Sequence, residues 1–346
     1  MKIIKIVTAL LVSIAILITL IVFYSNHELN KEDPNYIKDF INEHPHKTTL
    51  VVKKNDEIIY NHNGDKDFYT ASLFKLVVVI EAYKQANEGK INLEKVVSLK
   101  DIDKYSLLLA SNTGHNQWKK TLNSEKVTIN NVLKGILTHS SNPNTDYIID
   151  LVGESNINNT KNELLGSKHS DISTINSFLG IPIYLMKNKG YSIKQVDNLI
   201  DKSDGKNYKN LLNQSDRFLN NNHQRKDIRY FYPDDDIQKV WSKLTPKGRA
   251  LDYIRIRDKA KSLYGINDDD FLNTLNKEKN DKYYFEKSGE TLNIFNKYTV
   301  IKNKNDEYEI IFMSNELDDF EKSKLKNNID GFISNIIKEK YQLGEK

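Results

Sequence analysis

Ser72 and Lys75 stand three residues apart in the run Ser72-Leu73-Phe74-Lys75. On a helix this spacing puts both side chains on one face, where an amine can reach a hydroxyl. A serine hydroxyl is a weak nucleophile until a neighbouring base takes its proton. A lysine can be that base when burial lowers its pKa. The run Leu76 to Ile80 is apolar on every face of such a helix, so the helix should be buried all round. A lone Ser-x-x-Lys is a frequent accident of sequence, and its company decides its meaning. Ser140-Ser141-Asn142 falls in a break between two helical runs, and Lys287-Ser288-Gly289 closes a strand candidate. Other clusters carry less chemistry. His44-Pro45-His46 has no third ligand at a suitable spacing and reads as solvated linker. Asp234–Asp236 and Asp268–Asp270 lack the glycine and glutamate of a calcium loop and read as helix caps. No metal site and no cofactor is expected.

Strands and helices in a definite order must bring these residues together. Thr48 to Val52 and Glu57 to Tyr60 are β-rich runs, with Lys53 to Asp56 as the turn of a hairpin. Ser72 to Ala86 reads as a helix ending near Gly89. Thr128 to Val152 contains two helical runs broken at Asn142-Pro143, and Asn159 to Leu165 is a helix stopped by Gly166. Tyr283–Lys287, Tyr298–Lys302 and Tyr308–Met313 are strand candidates, the last two joined by a turn at Asn303–Asp306. Phe320, Leu325, Ile329, Phe332 and Ile336 recur at helical spacing within Asp318–Tyr341. Strands at both ends with helices between predict an α/β fold, an α+β sandwich. The expected form is a five-stranded antiparallel sheet built from both termini and flanked by the terminal helices, with a helical subdomain over about 90 to 270.

The three triplets, in this order and these settings, resemble the serine β-lactamase and penicillin-binding superfamily, class A β-lactamases above all. Phe68-Tyr69-Thr70-Ala71 before Ser72, Thr128 to Leu133, His139 to Asn142 with Asp146-Tyr147-Ile148-Ile149, and Val152-Gly153 with Glu163 to Gly166 extend the likeness. It covers roughly 47 to 182 and 244 to 340. The resemblance implies a β-lactamase/transpeptidase-like fold and an acyl-enzyme on Ser72. Lys75 would help deprotonate Ser72, and Ser140, assisted by Lys287, would pass a proton to the leaving nitrogen. Asn142 would bind the substrate's side-chain amide, and Lys287 with Ser288 its carboxylate. Gly289 belongs to the same substrate-binding strand. The N–H groups of Ser72 and Glu290 would form the oxyanion hole. The implied partner is a β-lactam or peptidoglycan-type small substrate.

Two departures stand out. Counting along the family pattern from Gly166 or from Ser140 lands on Asn176, where class A enzymes carry the omega-loop glutamate that activates the deacylating water. An amide cannot accept a proton at neutral pH. Leu179 matches the loop's leucine, while Gly180 replaces an asparagine. Glu163 and Asp171 are the nearest acids, one inside a predicted helix and one five residues early. Acylation is therefore expected intact and deacylation slow, and Asn176→Glu should speed release if the loop keeps the family geometry. The second departure is an insertion at about 183–243, before Thr245-Pro246, which resembles the start of the next helix. Residues 187–230 are polar with weak periodicity, and the insertion's partner is open.

The chain has 346 residues, 38% of them apolar, which suffices for a sizeable core. Its 51 basic and 47 acidic residues are interspersed and leave a net charge of +4, which argues against a nucleic-acid partner. It has no cysteine, which excludes disulfides, thiolate metal sites, a cysteine nucleophile and N-terminal lipidation at cysteine. Lys2 and Lys5 precede the uncharged run Ile6–Tyr24, which as a helix would span roughly 28 Å, close to a bilayer core. The expected organisation is therefore a membrane anchor, or a signal peptide, over 1–29, a linker or short first helix over 30–46, and the hydrolase domain over 47–346. The flanking lysines place the catalytic domain outside the cell membrane as a single-pass protein, or in the medium if the segment is cleaved. Three functions fit: a serine hydrolase, a penicillin-binding sensor or cell-wall interaction protein without efficient turnover, and a degenerate structural domain. The intact serines and lysines argue against the third.

Overall fold

A computed structural model describes residues 11–21, 23, 28–29, 31–203, 205–220, 228–266, 283–302 and 306–338. It falls into two compact units, one of Met1–Pro45 with Leu317–Gln342 and one of His46–Glu316 with the last four residues.

In the first unit the segment expected as a linker or short first helix holds a helix, Tyr36–Glu43, which buries Ile37, Phe40 and Ile41. Its partner is the long helix Asp319–Ile337, opened by a capping box of Asp318 and Glu321. The Asp33 N–H donates to Asn328 (2.7 Å), and Lys324 donates to the carbonyl of Lys31 (3.0 Å). Leu325, Ile329, Phe332 and Ile336 are buried as their spacing predicted, but Phe320 is half exposed. Residues 11–21 are helical, with their apolar side chains exposed. The rest of Ile6–Tyr24 falls largely outside the described residues. Among those described no helix is long and apolar enough to cross a membrane, so the expected span has no support there.

The second unit is built on a five-stranded antiparallel sheet, in the order β2-β1-β5-β4-β3. Its strands are β1 (Thr48–Lys54), β2 (Glu57–His62), β3 (Tyr283–Glu290), β4 (Phe295–Lys302) and β5 (Glu307–Ser314). β1 and β5 lie inside the sheet and are buried nearly end to end, whereas β2, at one edge, is half exposed. This explains the sequence pattern: inner strands read as continuous apolar runs and the edge strand as a mixture. Directly opposed residues share a face, so the pairings place Lys287, Tyr298, Ile311 and Val51 in one line across the sheet. That line faces the main core, to which Tyr298, Ile311 and Val51 belong.

Between β2 and β3 the chain is mostly helical. The helices that matter for the site are α1 (Lys75–Asn87), α2 (Ile129–His139), α3 (Asn142–Val152), α4 (Ile175–Lys189) and α5 (Asp235–Lys243). α1 is buried on all faces, as its composition predicted. It begins at Lys75 rather than Ser72, because the chain first turns tightly through Leu73 N–H to Thr70 O and Lys75 N–H to Ser72 O. The break between α2 and α3 falls at Ser140-Ser141. Pro143 stands in the first turn of α3, where its missing N–H costs nothing.

Residues 187–230, polar and weakly periodic in the sequence, are largely helical where described. Helices Ile193–Asp201 and Gly205–Leu219 fill much of the stretch, the first opened by a Ser192–Gln195 capping box. Asp234 caps α5 as expected, whereas Asp268–Asp270 lie outside the described residues. Thr245-Pro246 opens no helix. It leads into the short strand Lys247–Arg249, which pairs with Asp67–Tyr69 beside the nucleophile turn.

Candidate active site

Three backbone devices place Ser72. The Thr70 N–H and hydroxyl both donate to the Pro246 carbonyl (2.8 and 2.9 Å). The Asn296 amide on β4 donates to the Tyr69 carbonyl (2.8 Å). Ala71 then adopts φ +46°, an uncommon conformation for a residue with a side chain, immediately before Ser72. β3 comes up against this turn at Gly289. A Cβ added there would lie 2.7 Å from the Thr70 oxygen and 2.8 Å from the Ser72 nitrogen. Only a glycine lets the strand edge and the Ser72 N–H come this close, the approach that an oxyanion hole between Ser72 and Glu290 requires.

Ser140 occupies the other strained position, φ +53° at the C-terminus of α2. The turn is pressed from behind by Gly114, where a Cβ would meet the His139 carbonyl at 2.0 Å. Ser141 is wholly buried and serves as the cap of α3: the Asn144 N–H donates to its hydroxyl (3.3 Å), and His115 Nδ1 lies 2.9 Å from it. Ser141 is thus a structural residue of the helix break, as its neighbours in the sequence suggested.

The Ser140 hydroxyl lies between two buried lysines, 3.2 Å from Lys75 Nζ and 3.1 Å from Lys287 Nζ. Lys75 also donates to the Ser140 carbonyl (2.7 Å) and to Asn142 Oδ1 (2.6 Å), so its amine is turned to Ser140 and Asn142 rather than bonded to Ser72. Burial pushes Lys75 well below the ordinary lysine range, and the charge of Lys287 pushes it further, against the opposing pull of Asp146. Burial also lowers Lys287, to about 8, with Glu286 and Glu290 opposing. Lys75 is thus driven toward its neutral form. A neutral amine has two hydrogens for the Ser140 carbonyl and Asn142 and keeps one lone pair for a hydroxyl proton.

The remaining predicted residues divide. Ser72, Lys75, Asn142 and Glu290 line one cleft of about 240 Å³. Asn142 is engaged at both ends of its amide, its Nδ2 donating to the Ser111 carbonyl (2.9 Å). Ser288 alternates to the face opposite Lys287, and its hydroxyl donates to Glu286 (3.3 Å). Asn176 sits in the first turn of α4, with its amide turned to the Tyr105 carbonyl (2.7 Å) and Asp146 (2.8 Å). Glu163 is held by Tyr264 and Lys84, and Asp171 by Lys161. Ile175, Phe178, Leu179 and Trp241 give the cleft an apolar wall instead, with the Trp241 indole donating to the Leu179 carbonyl (2.8 Å). The insertion thus contributes to the site through α5. The sequence reading missed Trp241, Asn296 and Asp146. For Asp146 a signal existed: it lies one helical turn beyond Asn142, on the same face of α3.

A five-stranded antiparallel sheet, a buried helix after the serine, and a second serine between two lysines define a fold of the β-lactamase and penicillin-binding type. A beta-lactamase from Sphaerobacter thermophilus aligns with a TM-score of 0.54 at 14% identity, covering 90% of this chain and 98% of its own. A point mutant of PBP-A, in an acyl-enzyme complex with penicillin G, gives 0.54 at 13% identity, covering 90% and 99%. A beta-lactamase from Francisella tularensis gives 0.50 at 14% identity, covering 89% and 99%. No curated protein matches the sequence. A family model described as the Beta-lactamase enzyme family matches residues 34–329, so the chain is a member of the beta-lactamase enzyme family.

Proposed function

We propose that the protein forms an acyl-enzyme on Ser72 with β-lactams or acyl-D-Ala-type cell-wall peptides, and that it releases the acyl group slowly. The observation that carries the reading is the Ser140 hydroxyl held between Lys75 and Lys287 beside the Ser72 turn. Neutral Lys75 takes the Ser72 proton as Ser72 Oγ attacks the carbonyl carbon. The oxyanion is received by the Ser72 and Glu290 N–H groups. The carbon–nitrogen bond then breaks, and the proton passes from Lys75 through Ser140 to the leaving nitrogen, with the Lys287 charge beside it. Asn142 and Lys287 are the polar groups for the substrate's amide and carboxylate, and Ser288 joins them only if it gives up Glu286.

Slow release is supported by the surroundings of position 176. Its amide is taken up by the Tyr105 carbonyl and Asp146, and the wall beside Ser72 is apolar. A protein that acylates and stays acylated would report a β-lactam or a wall peptide rather than consume it, so the sensor reading is favoured over efficient resistance. Lys2 and Lys5 before the uncharged run Ile6–Tyr24 favour an extracytoplasmic domain. The test is intact-mass analysis of the protein after penicillin G, the ligand of the PBP-A acyl-enzyme. One adduct, absent in Ser72→Ala, is expected. No adduct on the wild type would overturn the reading.

A further inference from the structure

The first turn of α4 carries Ile175, Phe178 and Leu179 into the cleft, yet its own cap residue, Thr174, makes no capping hydrogen bond. The donors left open at a helix start need an acceptor. Asp146, reaching across from α3, supplies it. The Ile175 N–H donates to Asp146 Oδ1 (2.6 Å), and the Asn176 N–H to Oδ2 (2.9 Å). The Asn176 side chain adds a third donor to Oδ2 (2.8 Å) and gives its other hydrogen to the Tyr105 carbonyl (2.7 Å). Asp146 is almost fully buried. It also lies on the same face of α3 as Asn142, which holds Lys75.

We propose that Asp146 is the positioning residue of this site: it caps α4 from a neighbouring helix, seats the apolar wall beside Ser72, and thereby requires an amide at position 176. The proposal rests on the reading of Ser72 as the acylated residue for its kinetic part only. A glutamate at 176 would bring an acceptor against the Tyr105 carbonyl and a second carboxylate against Asp146. Two carboxylates in contact in a buried place cannot both ionise. The single change Asn176→Glu, which the family pattern suggests would restore release, therefore fails on contact with Asp146. Adding Asp146→Asn moves the amide to the other side of the pair. Its nitrogen gives a donor back to a glutamate at 176, and its oxygen still accepts one N–H of α4.

Four proteins decide it: the wild type, D146N, N176E and D146N/N176E. N176E should melt more than about 5 °C below the wild type and release penicillin G no faster. D146N/N176E should melt above N176E and release the acyl group at least about tenfold faster than the wild type, a modest share of what a positioned base provides. Should D146N alone fail to fold, N176E and the double variant still give the comparison. N176E at the wild-type melting temperature, N176E with accelerated release, or a double variant without rescue of both readouts overturns the proposal. If even the wild type takes up no penicillin, the Ser72 reading fails, while the melting comparison still judges Asp146.

Discussion

Adding one methyl group at Gly289 tests how closely the site is built. The backbone there has an ordinary φ, so alanine brings no conformational penalty and acts through space alone. Its Cβ would meet the Thr70 carbonyl oxygen at 2.7 Å and the Ser72 nitrogen at 2.8 Å, both backbone atoms that cannot swing aside. Restoring ordinary contact of 3.4 Å with both atoms means parting β3 from the nucleophile turn by ~0.7 Å. Oxyanion donors work within a window of about 2.7–3.1 Å, so a displacement of this size takes at least one of them out of range. Loss of one such donor costs about 10²–10³-fold in rate. The assay is the second-order rate constant for labelling Ser72 with a fluorescent penicillin, with the melting temperature measured in parallel. Gly289→Ala should stay folded, because the clash lies at the sheet edge and away from the buried strands. Labelling within about threefold of the wild type, far short of a lost donor, would show that the N–H groups of Ser72 and Glu290 do not stabilise the reaction.

Other expectations follow from the same geometry. Lys287, lowered to about 8, should give the labelling rate an alkaline limb near pH 8, as the charge beside Ser140 is lost. In Lys287→Arg, whose charge persists to much higher pH, that limb should disappear from a pH–rate profile. The same shift has a stability consequence of known sign. Between about 8 and the ordinary lysine value the unfolded chain binds more protons, so this group's contribution to stability rises with pH and is smallest below 8. Urea titrations at pH 7 and pH 9 would show it most clearly as a difference between wild type and Lys287→Met. Trp241→Ala removes both the cleft wall and the indole bond to Leu179, and should cost about 3 kcal/mol in urea unfolding.

The placement of Ser72, Lys75, Ser140 and Lys287 was legible in the sequence because they occur in short runs whose local structure is strongly determined. α1 is apolar on every side, and the three late strands are separated by clear turn signals. What the sequence hid were contacts between distant elements. Asn296 on β4 holds the Tyr69 carbonyl, and Asp146 on α3 caps α4. The Asn296 contact leaves no periodic trace, and the register of Asp146 with Asn142 does not name its partner on α4. The periodicity of the insertion looked weak because its helices are largely polar, yet Val196 with Ile200 and Leu211 with Phe218 sit at helical spacing and are buried. Ser288 is hidden for a simpler reason. Strand alternation sends it to the face opposite Lys287, where Glu286 takes its hydroxyl, a contact between residues two apart that the motif does not show.

The central claim is that Ser72 is acylated and slow to be freed. It is tested most directly by following the intact mass of the full chain over time after a brief exposure to penicillin G and removal of the excess. The account predicts one adduct on the wild type, none on Ser72→Ala, and a return to the free mass that takes minutes or longer. A wild-type chain that never gains mass, though penicillin G is consumed no faster than in buffer, would contradict acylation. One that consumes penicillin G rapidly with no persistent adduct would contradict slow release and would require a base that serves the deacylating water from somewhere other than position 176.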